Sequence, residues 1–142
     1  MGNTLYEQDF HAWAMRQAEL LRTGRVDCAD LDNIAEEIES MGRSQRSELT
    51  NRLTVLLTHL LKWRFQPSLR GNSWRLTIKN QRIQLRQHMR DNPSLKGYVN
   101  QAVEDAWLRA AEQETGLVAA TFPETCPFTF DQAMSDDFWP DV

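Results

Sequence analysis

The sequence has few cysteines, few glycines and no long apolar run. Cys28 and Cys126 are the two cysteines among 142 residues and stand far apart, which excludes a disulfide framework and a cysteine-rich metal knuckle. The 6 glycines are scattered, so no glycine-rich loop exists to cradle a phosphate. No apolar run approaches the ~18 residues of a membrane span. The first ten residues lack the basic-then-apolar order of a secretory leader. Met1-Gly2 opens like a myristoylation site, but Tyr6 stands where Ser or Thr is needed. Alternating strand patterns and internal repeats are also missing. These absences predict a cytoplasmic protein with reduced thiols, no membrane association and no cofactor. A chain of this length is expected to form one domain, residues 1–142, burying roughly 68–70% of its unfolded surface without help from a metal.

What the sequence does have is helical periodicity. Its longest pattern runs from Leu31 to Gln66. Ile34, Ile38, Met41, Leu49, Leu53, Leu56, Leu60 and Trp63 recur at steps that share one helix face, and Gln45 falls in phase between the two halves. Gly42 is the weak point, since glycine inside a helix costs about 1 kcal/mol relative to alanine. One long helix, bent or straight at Gly42, is the favoured reading over two. Asp30 is a good N-cap, Glu36, Glu37 and Glu39 suit the helix start, and Pro67 ends the pattern.

Around it, Thr4 to Glu7 fits a capping box. Phe10, Trp13, Leu20 and Leu21 mark an amphipathic helix from Glu7 to Arg22, with Gly24 as its C-terminal cap. A third helix is predicted from Ser73 to Arg90 with Trp74, Ile78, Leu85 and Met89 as core stripe. A fourth runs from the Asn92-Pro93 start to Thr115, where Gly116 stops it. The segment from Leu117 to Val142 carries Phe122, Phe128, Phe130, Phe138 and Trp139, and Thr129 can cap a short helix there. It is too aromatic for a disordered tail. The expected fold is all-α: a bundle of about four main helices, one of them long (31–66), with this aromatic segment packed across it.

Charge is segregated along the chain. Residues 1–42 hold 3 basic and 9 acidic side chains, residues 43–96 hold 12 and 2, and residues 97–142 hold 1 and 9. Such a layout marks either a nucleic-acid surface or a basic middle that packs beside acidic neighbours. On the third helix Arg75, Lys79, Arg82, Arg86 and Arg90 follow one another at steps of three and four, a single cationic strip beside the core face. It is a candidate surface for nucleic acid or an acidic partner. Its neighbours Gln81, Gln84 and Gln87 do not supply the aromatic interleaving of single-strand binders.

Several strings occur together: Tyr6 to Phe10 with Trp13, Ile34 to Gly42, His59 to Trp63 followed by Gln66-Pro67, Ser73-Trp74, Glu114 to Leu117, and Phe122 to Glu124 with Cys126-Pro127. In these the chain resembles the bacterial family known as domain of unknown function 29, from about Leu5 to Pro140. The resemblance implies a small, mostly helical bacterial protein. It implies no activity and no site residue.

Two constellations point toward chemistry. Arg52 and His59 share a helix face with six residues between them. An Arg followed a few residues later by His resembles the motif of the higher-eukaryote-and-prokaryote nucleotide-binding helical ribonucleases of toxin–antitoxin pairs, although Leu53 stands where that group favours a polar residue. That resemblance implies metal-free RNA cleavage, His59 moving a proton and Arg52 stabilising phosphorane charge. Arg82 and His88 form a second such pair, but their spacing points them apart. His11, His59 and His88, on three predicted helices, are the alternative: a metal site in a bundle. The leading expectation is a non-catalytic helical interaction protein that binds a protein partner or itself. RNA binding or cleavage and metal binding are the alternatives.

Overall fold

In the computed structural model the described residues are 4–114 and 122–140, with the backbone alone for residues 113 and 114. They are mostly helical, and no strand occurs among them. The chain forms two compact units, Met1–Ser44 and Gln45–Val142. The predicted stop at Gly116 lies outside the described residues.

In the N-terminal unit the single helix predicted over 7–22 is two: α1 (Leu5–Gln8) and α2 (Phe10–Arg22). The break falls at Asp9, whose carboxylate accepts from the Ala12 amide at 3.0 Å and so caps α2. Thr4 makes no side-chain cap bond, so the predicted capping box does not form. An aspartate is a strong N-cap in its own right, and it wins here. Gly24 ends α2 with φ at 77°, a left-handed turn that costs glycine no steric strain. Two crossed bonds close that turn: the Gly24 amide to the Leu21 carbonyl at 3.2 Å, and the Arg25 amide to the Leu20 carbonyl at 2.8 Å.

The buried residues of α2 are Trp13, Gln17 and Leu20. Two of them bind Asp30. Trp13 Nε1 donates to its carboxylate at 3.0 Å, and Gln17 Oε1 accepts its amide at 2.7 Å. The Asn33 side chain donates to the same carboxylate at 2.8 Å. Asp30 thus caps the next helix and ties α2 to it. Tyr6, Phe10 and Trp13 stack as a ring cluster, with centroids 4.6 to 5.8 Å apart.

Helix α3 (Leu31–Phe65) belongs to both units and runs unbroken through Gly42. In the C-terminal unit its leucines form the core: Leu49, Leu53, Leu56, Leu57, Leu60 and Leu61 are fully buried. A turn at Pro67–Leu69 leads into α4 (Asn72–Asp91), which buries Ile78 and Leu85 against them. The fourth predicted helix opens as a 3-10 turn (Pro93–Tyr98), becomes α5 (Val99–Arg109) and loosens into a π turn (Ala110–Glu114). Its Ala102, Ala106 and Trp107 complete the core.

Residues 122–140 pack against this core. Phe122 and Phe128 are buried, and Phe130, Phe138 and Trp139 are half-buried. Phe122 meets Phe65 at 5.1 Å, Phe128 meets Phe138 at 5.2 Å, and Trp139 meets Trp63 at 4.8 Å between ring centroids. Thr129 caps α6 (Phe130–Met134) with a complete capping box shared with Gln132. An aromatic C-terminal segment packed on helices is therefore present, as the composition led one to expect.

Candidate functional site

The cationic strip of α4 divides into two groups. Arg82 is 0% exposed and serves the chain itself. Its Nε donates to the Ala133 carbonyl at 2.8 Å, its Nη2 to the Phe138 carbonyl at 2.6 Å, and its guanidinium lies 5.3 Å from the Trp139 ring centroid. Burial pulls its pKa down from the usual arginine value. Arg86 donates to the Met134 carbonyl at 2.8 Å and pairs with Asp136 at 2.6 Å, which holds the Asp136 carboxyl below the ordinary range. These two residues clamp the C-terminal segment, so Arg82 is no partner-binding residue. The 3.6-residue period set the strip beside the core but did not reveal that residues 133–138 would lie over it. Arg75, Lys79 and Arg90 remain exposed, with the exposed Leu76 and Ile83 among them.

Arg52 and His59 are not brought together. Arg52 pairs with Glu48 at 3.1 Å and reaches Gln81 at 3.4 Å, both away from His59. His59 Nδ1 lies 2.8 Å from the Val55 carbonyl, which makes that nitrogen the protonated one. Burial lowers the His59 pKa, and nearby Lys62 adds to the effect. His88 is buried and has oxygen at both ring nitrogens, Glu48 Oε2 at 3.1 Å and the Gln45 carbonyl at 2.8 Å. Arg82 and His88 thus serve different partners. His11 is exposed on α2. Among the described residues no three His, Cys, Asp or Glu side chains are grouped to hold a metal ion. The acidic start of α3 is used locally: Tyr6 donates to Glu37, and Arg43 pairs with Glu36 at 3.0 Å and Glu39 at 3.7 Å.

The family described as "Domain of unknown function DUF29" matches residues 5–139, nearly the whole chain. The chain belongs to this family. No curated protein and no solved structure matches it. Among the described residues of this DUF29 chain, no helix is long and apolar enough to cross a membrane.

The feature that periodicity misjudged is the first half of α3. Ile34, Ile38 and Met41 were expected to extend the core stripe of the leucines. Ile34 is half-buried, while Leu31, Ile38 and Met41 are 51%, 62% and 66% exposed. Leu31, Ile38 and Met41 lie within about a quarter turn of one another at 100° per residue. Helical spacing shows which residues share a face but not whether another element covers it. In the N-terminal unit α2 buries little beyond Trp13, Gln17 and Leu20, and Phe10 and Met15 are exposed as well. The DUF29 chain therefore carries an open apolar row along the first half of α3.

Proposed function

We propose that this DUF29 protein is a non-catalytic helical interaction module of the bacterial cytoplasm, and that the first half of α3 is its docking face. The observation that carries this reading is the exposure of Leu31, Ile38 and Met41 along one helix edge. Large apolar side chains lined up in water mark interaction surfaces. The charge of the surrounding segment adds selectivity: residues 1–42 hold 3 basic and 9 acidic side chains, so an amphipathic partner helix with basic flanks is favoured over one with acidic flanks. The exposed face of α4, with Leu76, Ile83, Lys79 and Arg90, has that character, which makes a second copy one such partner. The RNA-cleaving reading draws less support, because Arg52 is paired with Glu48 and Arg82 with the chain's own carbonyls.

The test is a photo-crosslinking residue at Ile38, with light scattering of the same protein across a concentration series. The expected outcome is one discrete adduct that disappears on Met41→Glu while the melting temperature holds. Adduct formation indifferent to Met41→Glu would remove α3 as the docking face. No adduct and a monomer at every concentration would remove self-association.

A further inference from the structure

A shallow groove of about 310 Å³ runs along another face of α3 in the C-terminal unit. Asn51, Thr54, Thr58, His59 and Lys62 line it from α3, and Arg109 from α5. Its described lining contains two cations and no carboxylate. Lys62 is half-buried, and neither it nor Arg109 makes an ion pair with a described residue. Arg109 instead donates to Asn51 Oδ1 at 2.8 Å, a neutral contact that positions the guanidinium without cancelling its charge. Elsewhere in this protein Arg43, Arg52 and Arg86 each have a carboxylate within 4 Å.

Of the other polar side chains along the groove, one keeps a free ring nitrogen. Thr54 donates its hydroxyl to the Thr50 carbonyl at 2.8 Å, one turn back, the usual way a helical threonine satisfies itself. Thr58, 5% exposed, does not; its hydroxyl oxygen is buried beneath the groove and has no hydrogen-bond partner among the described residues. His59 has its Nδ1 proton committed to the Val55 carbonyl at 2.8 Å, so in the neutral ring Nε2 is an acceptor. The groove therefore combines two cations without a carboxylate partner among the described residues and one acceptor. A dianion matches the cations, and a hydroxyl group on the same molecule matches the acceptor.

We propose that this groove is a binding site for a small phosphate monoester bearing free hydroxyls, its phosphate held by Lys62 and Arg109 and a hydroxyl received by His59. The volume suits a ligand of sugar-phosphate size. Nothing in this assignment depends on the docking face of α3.

The experiment is calorimetric titration of the full chain with ribose 5-phosphate, inorganic phosphate and ribose at low salt. Ribose 5-phosphate should bind one to one, phosphate more weakly, and ribose not at all. Lys62→Ala and Arg109→Ala should each weaken the ester by about tenfold, the worth of one charge-assisted contact. His59→Phe should abolish the preference of ester over phosphate and leave phosphate binding in place. Lys79→Ala, an exposed cation of α4, should change nothing. Failure of ribose 5-phosphate to bind at millimolar concentration would overturn the site, and so would an equal loss in Lys79→Ala. Equal affinity for ester and phosphate in the parent would overturn the role given to His59.

Discussion

Single residues in this protein are defined by the atom each one faces. Tyr6 is the clearest case. It donates to Glu37, and that hydrogen bond, helped by partial burial and the negative charges of Glu37, Glu36 and Asp30, pushes the phenol up to about 12 from an ordinary value of 10.0. A raised phenol means the neutral form is favoured in the folded state. The linked stability is fully present below pH 10 and is lost as pH rises toward 12. Ultraviolet titration of the two tyrosines should show one late ionisation, absent in Tyr6→Phe. Glu37→Gln should bring that late step back toward 10. A single unshifted step in the parent would contradict the Tyr6–Glu37 bond. None of this is legible in the sequence, where Tyr6 and Glu37 stand 31 positions apart.

At the scale of elements, the two informative positions are Gly42 in α3 and Arg82 in α4. Gly42 sits inside a continuous helix, its φ is not positive, and a Cβ added there meets no atom within 4 Å. Nothing requires glycine's freedom. Gly42→Ala should therefore raise stability by about 0.5–1 kcal/mol, read as a higher midpoint in thermal circular dichroism. A fall would mean that the helix bends at this point in solution. Arg82 has the opposite character. Removing it leaves the Ala133 and Phe138 carbonyls without their charged donor and takes the cation from Trp139. Arg82→Ala should cost about 2–3 kcal/mol in urea unfolding, with red-shifted tryptophan emission. Arg82→Lys should recover little, since an ammonium cannot span two carbonyls and stack on a ring as a guanidinium does. Full stability in Arg82→Ala would show that the aromatics alone hold the segment. The capping box at Thr129 and the glycine stop at Gly24 were readable locally, because each needs a handful of adjacent residues. The clamp was not, because Arg82 and Phe138 meet across 56 positions.

Across the whole molecule, burial is unevenly shared. The N-terminal unit buries Trp13, Gln17 and Leu20, whereas the C-terminal unit buries the leucines of α3 together with Ile78, Leu85, Ala102, Ala106 and Trp107. Opening free energy follows buried apolar contact. Native-state hydrogen exchange should therefore find α2 and residues 31–44 opening at lower free energy than the amides from Leu49 to Leu61. Equal protection along all of α3 would show that the helix opens as one unit. The segregated charges are also resolved at this scale. Part of the basic middle is satisfied by carbonyls and aromatic rings, at Arg82 and in Arg46 over Tyr98 at 5.2 Å, and part by an acid from the C-terminal segment, in Arg86 with Asp136. Charge counts along the sequence cannot distinguish these, since a carbonyl or a ring carries no formal charge.

The sequence by itself determined the all-α class, the family, the extent of α3 and α4, and the leucine stripe. The class, the extents and the stripe follow from local propensity and a 3.6-residue period, which neighbours in the chain set among themselves; the family follows from the short strings shared along the chain. Only the tertiary structure decided which stripe is covered and which lies open. Leu49 and Leu53 are buried in one core cluster with residues of α4, α5 and the C-terminal segment, while Ile38 and Met41, in the same helical pattern, face solvent. It also decided that Arg82 lies inside and that Lys62 and Arg109 share a groove whose described lining holds no acid. Burial and pairing depend on what arrives from elsewhere in the chain, and periodicity records only the face a residue turns toward it.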